Sequence, residues 1–277
     1  GVRFRTRTVV RGSAPASDAR GETGDACAKH VVSLGELMAD HDATLICTGT
    51  WTSRRLDIPG EDLPGVHSSM EFLFPIRAAR YDESAERSIP VAGRAVTIVG
   101  AGHSAVDAAY EALRQGAAWV TMVYRRTRQD APCGLHEIAR VETAGVNLVE
   151  NATPLGIVAL GRIKQVHLRI GRPPEAVTYR THPCDVVIRA IGDVPGASFA
   201  RELGIDLVPR REARWLQMTR VEGVFVAGDV LIGPSKIGRA VYSGLRAARS
   251  LREWLRYKAW GRQADYNHDA DFMFLED

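Results

Sequence analysis

The chain has 277 residues, of which 45% are hydrophobic and 25% charged, so it is long enough for one large or two ordinary globular domains. Its formal net charge of +3 is too small, and its basic residues too scattered, to indicate a nucleic-acid-binding protein. No apolar run approaches the roughly 20 residues that a membrane-spanning helix needs. The four cysteines are far apart and form no C-x-x-C pair, which argues against a redox-active dithiol or a metal site and favours free thiols in the cytoplasm.

The first predicted elements are a strand in GVRFRTRTVV, a polar loop and a short helix in SLGELMADHD. Ser33 is the predicted N-cap of that helix, and Glu36 completes a capping box. The apolar run ATLICTGT ends at Thr48-Gly49 and is typical of a strand that is buried on both faces of a parallel sheet. LDIPGEDLPGVHSS is rich in proline and glycine and is predicted to be a loop.

The segment VTIVGAGHSAVDAAY predicts a strand, a glycine turn and a helix. Gly100 would allow the tight turn, Gly102 would let the backbone approach a pyrophosphate, and the small Ala105 would let the helix pack closely on the strand. The helix N-terminus at His103 and Ser104 would offer backbone N–H groups to the phosphates. A strand before the motif, an Ala-rich helix after it and a further strand favour a dinucleotide-binding unit over a glycine turn without a ligand.

The next predicted strand ends in Tyr124-Arg125-Arg126. An NAD site normally has Asp or Glu there, which accepts hydrogen bonds from the adenosine ribose. A guanidinium group binds a 2′-phosphate by its charge and its paired N–H donors, whereas a carboxylate would repel that phosphate. The sequence therefore favours NADP(H), with NAD(H) as the alternative if these arginines are only exposed residues at the end of a strand.

The remaining elements are predicted as a helix in GLHEIARVETAG, a strand in VNLVE, a three-stranded meander, a buried strand in CDVVIRAIGDVPG, a short strand in GVFVAGDV and a long final helix. Ser235 is the predicted N-cap of that last helix. Seven of its positions form one apolar face, namely Ile237, Val241, Gly244, Leu245, Ala248, Leu251 and Leu255. LICTGT and VIRAIGD are both buried strands that end in a glycine, which suggests two nucleotide-binding layers.

Taken in order, these motifs resemble the FAD- and NADPH-binding portion of the glutamate synthase small (beta) subunit family, whose relatives include the flavin half of dihydropyrimidine dehydrogenase and the ferredoxin:NADP transhydrogenase subunits. The resemblance covers roughly 1–254 and depends on DATLICTGT, IPGEDLPGVHSSMEFL, VTIVGAGHSAVDAA, VTMVYRRTRQDAP, CDVVIRAIG and GVFVAGDVLIGPSKIGRAVYSGLRAA. It implies an α/β fold of two Rossmann-like, three-layer ββα domains, with the NAD(P)-binding domain inserted in the FAD-binding domain. The implied limits are 1–85 for the back part of the FAD domain, 86–212 for the NAD(P) domain, 213–256 for the return to the FAD domain and 257–277 for an acidic tail.

The resemblance also implies which residues bind the cofactors. Those expected at NAD(P) are Gly100, Gly102, His103, Ser104, Ala105, Arg125, Arg126, Ala190, Ile191 and Gly192. Those expected at FAD are Thr48, Gly49, Gly228, Asp229, Ser235, Lys236 and Ile237. Asp229 would accept a hydrogen bond from the ribityl chain. No catalytic side chain and no metal ligand is expected, because the hydride passes between the two cofactors.

The chain also departs from this family. No second G-x-G-x-x-G precedes Val96, and the iron–sulfur region of the beta subunits is absent. The FAD domain is therefore expected to be incomplete at its N-terminus, with a missing upstream segment or a partner chain supplying the loop for the FAD pyrophosphate.

The function expected from the resemblance is that of an NAD(P)H:acceptor oxidoreductase, a cytoplasmic flavoprotein electron-transfer subunit. It would transfer hydride between NAD(P)H and FAD and exchange electrons with an iron–sulfur or catalytic partner subunit. The alternative is a non-catalytic NAD(P)-binding or assembly subunit of a multi-subunit complex, without a complete FAD site.

Overall fold

The chain forms two compact units in the computed structural model, which describes residues 1–12, 23–81, 89–174, 176–195, 203 and 215–260. The outer unit comprises Gly1–Thr52 and Val194–Asp277, and the inserted unit comprises Ser53–Asp193. The insertion of one unit in the other confirms the arrangement expected from the sequence. The inserted unit starts earlier and ends earlier than the 86–212 expected for the NAD(P) domain.

Among the residues that the structure describes, the outer unit forms two short parallel sheets, each of two strands, and three α-helices. Its elements are β1 (Thr8–Arg11), β2 (His30–Ser33), α1 (Leu34–Asp40), β3 (Thr44–Ile46), β14 (Val224–Val226), α5 (Asp229–Ile232) and α6 (Ile237–Trp260). β1 pairs with β2, and β3 pairs with β14. The predicted capping box is present, since Ser33 Oγ accepts a hydrogen bond from the N–H of Gly35 and Glu36 accepts one from the N–H of Ser33. Leu34, Ile46 and Val226 lie in the core of this unit.

The buried face of α6 differs from the one predicted. The residues that it buries are Ser243, Ala247, Ser250 and Trp254, whose small side chains at the first three positions let the helix lie close to its own unit. Four residues of the predicted apolar face are instead exposed, namely Ala248 together with Ile237 at 85%, Val241 at 55% and Leu245 at 57% of their full surface. The periodicity predicted the helix correctly but not the face that it buries here.

The inserted unit is built on a five-stranded parallel sheet with the order β5–β12–β6–β7–β8. Its strands are β5 (Val66–Ser68), β6 (Ala95–Val99), β7 (Trp119–Val123), β8 (Asn147–Val149) and β12 (Val186–Arg189). β5 pairs with β12, so the end of LDIPGEDLPGVHSS is a strand and the prediction of a loop there was wrong. This pairing also explains why the unit begins before residue 86.

Within the described part of this unit, three α-helices cover one face of this sheet and a three-stranded antiparallel sheet covers the other. The helices are α2 (Ser69–Ala78), α3 (His103–Arg114) and α4 (Leu135–Thr143), and the antiparallel strands are β9 (Ala152–Leu160), β10 (Ile163–Ile170) and β11 (Thr178–Cys184). Ile98 faces the helix layer, and Val99 packs with Val166 in the opposite layer. The three layers confirm the predicted ββα architecture, and the parallel sheet is buried on both faces because its strands are almost wholly apolar.

The chain passes between the two units at two short strands, β4 (Thr52–Ser53) and β13 (Asp193–Val194), which pair with each other. In the part of the chain that the structure describes, no helix combines the length and the apolar composition needed to cross a membrane.

Candidate functional site: the switch point of the inserted unit

The order of the strands reverses at β6. After β6 the chain adds β7 and β8 on one side, and β12 then pairs with the other side of β6. At such a switch point the loops that follow two neighbouring strands turn away from each other and leave a crevice at the carboxyl ends of the strands. The two loops here are the glycine loop (residues 100–105) and the β12 loop (residues 190–192).

The two loops approach each other closely at Gly100. Its φ is +133°, and a Cβ atom built on it would lie 2.2 Å from the carbonyl oxygen of Ala190. The N–H of Ala190 donates to the carbonyl oxygen of Val99 over 2.8 Å, and the N–H of Gly100 donates to that of Val123 over 2.9 Å. Only glycine fits at this crossing, which is the structural role expected for the first glycine of a dinucleotide-binding loop.

Gly102 leaves space where Gly100 does not. It is the N-cap of α3, and a Cβ atom built on it would have no neighbour within 4 Å. The N–H groups of His103 and Ser104 make no hydrogen bond within the part of the chain that the structure describes, and the His103 side chain is exposed. Ala105 is fully buried in the helix layer. The loop thus presents free N–H donors and the positive end of a helix to an open space, a combination that suits a phosphate group.

Three arginines follow β7, and the structure divides them into two kinds. Arg125 and Arg126 are exposed and have no ion pair with any described residue. The guanidinium group of Arg128 instead donates to Glu142 over 3.0 Å and to Glu150 over 2.8 Å. The hydrogen bonds from Arg128 hold the pKa of the Glu150 carboxyl below its ordinary value. Arg125 and Arg126 therefore remain available for a phosphate group, whereas Arg128 has a structural role.

The β12 loop is fixed by the segment that enters the inserted unit. Gly192 has a φ of +101°, and its carbonyl oxygen accepts a hydrogen bond of 2.9 Å from the N–H of Arg54. Ser53 Oγ donates to Asp193 over 2.7 Å. Ile191 is 37% exposed at the tip of the loop. The predicted NAD(P) residues of both loops thus lie together at the switch point.

The residues predicted to bind FAD lie in the outer unit. The N–H of Ala227 donates to the carbonyl oxygen of Ile46 over 2.9 Å, so the residues after β3 and those after β14 lie at the same edge of this small sheet. They are Thr48, Gly49, Gly228 and Asp229. A Cβ atom built on Gly228 would have no neighbour within 4 Å, so this edge has space for a ligand.

Ser235 does not cap α6 as predicted. The helix begins at Ile237, and Ser235 Oγ instead donates to Asp229 Oδ1 over 2.6 Å. Lys236 occupies the N-cap position instead, since its carbonyl oxygen accepts hydrogen bonds from the N–H groups of Arg239 and Ala240. Lys236 and Ile237 are both exposed at the start of the helix.

Sequence reasoning missed Arg54 and Glu61. Glu61 is 3% exposed, accepts hydrogen bonds from two backbone N–H groups, and forms ion pairs with Arg55 and Arg189. The sequence around Arg54 offers only the basic run Ser-Arg-Arg, which does not by itself indicate a binding residue. Its position beside Gly192 could not be predicted, because the two residues are far apart in the sequence. Glu61 stood in a segment predicted to be a loop, where a buried carboxylate is unexpected.

A parallel sheet with a glycine loop and open helix N–H groups at its switch point defines a Rossmann-type dinucleotide-binding unit. The chain belongs to the pyridine nucleotide-disulphide oxidoreductase family, whose sequence model matches residues 5–247. The predicted FAD and NADP cofactors agree with this membership.

Two relatives and one solved structure illustrate the similarity. The chain is 31% identical over 252 residues to the glutamate synthase [NADPH] small chain of Azospirillum brasilense, covering 82% of this chain and 52% of that protein. It is 34% identical over 251 residues to the NADP(+)-dependent formate dehydrogenase subunit beta of Moorella thermoacetica, covering 81% of this chain and 33% of that protein. The fold resembles Mycobacterium tuberculosis FprA in complex with NADPH, with a TM-score of 0.61 and 18% identity over 86% of this chain and 69% of that one.

These comparisons confirm the resemblance to glutamate synthase small subunits. The chain spans about half the length of the Azospirillum relative and a third of the Moorella relative.

Proposed function

We propose that this chain is a flavoprotein electron-transfer subunit that transfers hydride between NADP(H) and FAD and exchanges electrons with an iron–sulfur partner subunit. The observation that carries the proposal is the crossing of Gly100 and Ala190 at the switch point. A Cβ atom cannot be accommodated there, while Gly102 beside it is open. The close crossing brings the two loops together, and the open position beside the start of α3 suits a phosphate group.

NADP(H) is favoured because two free guanidinium groups follow β7. The adenosine ribose of a dinucleotide lies at the end of the second strand of a Rossmann unit, which is β7 here. Arg125 and Arg126 would donate to the 2′-phosphate, and the N–H groups of His103 and Ser104 would donate to the pyrophosphate. The names of the two relatives, which specify NADPH and NADP(+), support the same choice.

The edge formed by β3 and β14 fits part of a flavin site. Asp229 offers a carboxylate whose orientation is fixed by the hydroxyl of Ser235. We propose that this carboxylate accepts a hydrogen bond from the ribityl chain, that Gly228 and Gly49 allow close approach of the cofactor, and that the start of α6 at Lys236 and Ile237 places a positive helix end nearby. These residues would hold part of the flavin, which would supply the hydride- and electron-transfer chemistry, so that no side chain here has to supply it.

The flavin site would be completed by a segment from outside this sequence or by a partner chain. Among the described residues β3 pairs with β14 alone, and Leu45 of β3 is 38% exposed. The exposed Ile237, Val241 and Leu245 on α6 provide an apolar surface in the same unit. Small two-stranded parallel sheets seldom stand alone, so a further strand and helix would be stabilised here.

The visible spectrum and NADPH oxidation of the purified protein, alone and with its partner chains, test this function. A bound flavin would absorb at about 450 nm, and we expect NADPH to bleach this band and a one-electron acceptor to restore it. Arg125→Ala is expected to weaken NADPH oxidation and leave NADH oxidation unchanged, while Arg128→Ala, which removes a paired arginine, is expected to lower stability instead. An assembly that binds NADPH but contains no flavin would refute the electron-transfer function and support the non-catalytic subunit.

A further inference from the structure

We infer that Arg54 binds the nicotinamide-side half of the dinucleotide at its phosphate group, an inference that rests on the proposed binding of NADP(H). Arg54 follows β4 at the entrance to the inserted unit. Its Nε lies 3.8 Å, and its Cδ 3.9 Å, from the position of a Cβ atom built on Gly192. Its side chain therefore lies against Gly192 of the β12 loop.

The order of the strands determines which half of the cofactor this is. The adenosine end lies at β7 and the pyrophosphate at the glycine loop after β6, and neighbouring strands are about 4.8 Å apart. A dinucleotide that continues in the same direction passes next to the loop that follows β12. Arg54 lies beside that loop, on the opposite side of β6 from Arg125 and Arg126.

The guanidinium group of Arg54 is free to bind a ligand. It is exposed and forms no ion pair with any described residue. Its neighbour Arg55 is different, because it forms ion pairs with Glu61 and Asp62. A free arginine next to a paired arginine in the same segment indicates that the charge of Arg54 is not needed to stabilise this part of the fold.

The backbone of Arg54 is held in place before any ligand binds. Its N–H donates to the carbonyl oxygen of Gly192, and the preceding residue, Ser53, donates to Asp193. The following residue is anchored by Glu61. A side chain on a fixed backbone loses less entropy on binding. A charge-assisted hydrogen bond to phosphate therefore contributes more to the net binding free energy.

Three ligands and matched variants test the inference by calorimetric titration of the purified protein. NADPH and NADH contain the nicotinamide half, whereas adenosine 2′,5′-bisphosphate does not. Arg54→Gln is expected to weaken the binding of both NADPH and NADH by about tenfold or more and to leave the affinity for the bisphosphate unchanged. Arg125→Gln is expected to weaken the binding of NADPH and of the bisphosphate and to leave the affinity for NADH unchanged.

Arg162→Gln is the control, because it removes the same charge from the turn between β9 and β10. That turn adjoins Ile163, which lines a cleft with Ala95 and Trp119 at the amino ends of β6 and β7. Arg162→Gln should change none of the three affinities, and Arg54→Lys should recover part of the loss, since it keeps the charge. Thermal unfolding of each variant verifies that the fold is intact.

Several results would overturn the inference. If Arg54→Gln binds NADPH as tightly as the natural protein does, Arg54 makes no such contact. If Arg54→Gln weakens the binding of the bisphosphate as much as that of NADPH, the contact is with the adenosine half. If the natural protein binds none of the three ligands, the proposed NADP(H) function fails as well, which distinguishes that failure from a failure confined to Arg54.

Discussion

Replacing Gly100 by alanine is expected to damage both the fold of the inserted unit and its binding of NADPH. The added Cβ atom would lie 2.2 Å from the carbonyl oxygen of Ala190, about 1 Å short of an ordinary contact between carbon and oxygen. The oxygen belongs to the backbone at the end of β12, so it cannot turn aside as a flexible side chain would. Relief requires a movement of β12 or of the glycine turn.

The cost has two parts. A residue with a Cβ atom at a φ of +133° is strained by about 1–3 kcal/mol, and the overpacked contact adds about 1–3 kcal/mol. The sum of about 2–6 kcal/mol corresponds to a fall in the unfolding temperature of about 5 °C or more. The displaced loop should also weaken NADPH binding by tenfold or more, because the N–H groups at the start of α3 lose their alignment with the phosphates.

Gly102→Ala is the matched control, since it adds the same methyl group two residues along the loop. Gly102 has a φ of −89° and a ψ of 179°, which alanine adopts readily, and no atom lies within 4 Å of its Cβ position. The unfolding temperature should therefore change little, because the free energy of unfolding should fall by no more than about 1 kcal/mol. NADPH binding should nevertheless weaken strongly, because the methyl group occupies the space into which the pyrophosphate is expected to move.

The two measurements are differential scanning calorimetry without a ligand and titration with NADPH. The reasoning about the switch point would be refuted if Gly100→Ala unfolded at the same temperature as the natural protein and bound NADPH equally well. A Gly102→Ala variant with unchanged affinity would show that the open space beside α3 does not receive the phosphates, whatever the stability of Gly100→Ala.

Three further changes test the supporting structure. Glu61→Gln should lower the free energy of unfolding by roughly 3 kcal/mol in a denaturant titration, because it leaves the nearly buried guanidinium group of Arg189 without its counter-charge; an unchanged midpoint would contradict this role. The pKa of Glu150 is lower in the folded protein than in the unfolded chain, so its ionised form stabilises the fold above the ordinary pKa of a glutamate, and this stabilisation is lost as the pH falls through the lowered pKa. Arg128→Gln should therefore make the free energy of unfolding fall less steeply in acid. Parallel pH profiles of the two proteins would disprove the coupling. Ser243→Ala should cost about 1–3 kcal/mol, measured by thermal unfolding, since its buried hydroxyl accepts hydrogen bonds from a glutamine side chain and from a backbone N–H; a neutral effect would show that water replaces it.

Local patterns were sufficient to predict most elements of the inserted unit. The bounds of β6 matched the apolar run before Gly100, and α3 begins at His103, within the predicted N-terminus, with Gly116 at a φ of +82° just beyond its end. These features depend on neighbours in the chain, such as a glycine that permits a positive φ. The sequence also predicted the glycine loop, because each of its residues has a role that local chemistry explains.

Pairings between distant segments could not be predicted in the same way. β5 lies in a segment rich in proline and glycine, whose composition predicts a loop. It is a strand because it pairs with β12, which is distant in the sequence. The face that α6 buries depends on which segments are available to cover it, so periodicity alone chose the wrong residues. Ser235 is of a residue type that favours the N-cap, but the helix begins at Ile237, so the cap position falls on Lys236 and the Ser235 hydroxyl donates to Asp229.

The crossing of Gly100 and Ala190 also has a consequence for the folding kinetics of the inserted unit. Its two sides are separated by two helices and by the whole antiparallel sheet, so the crossing can form only after β12 has paired with β6. Closing such a long loop is slow compared with local helix formation. Affinity for the nicotinamide coenzyme should consequently emerge late in refolding, and an early intermediate with native-like helix content should show none of it.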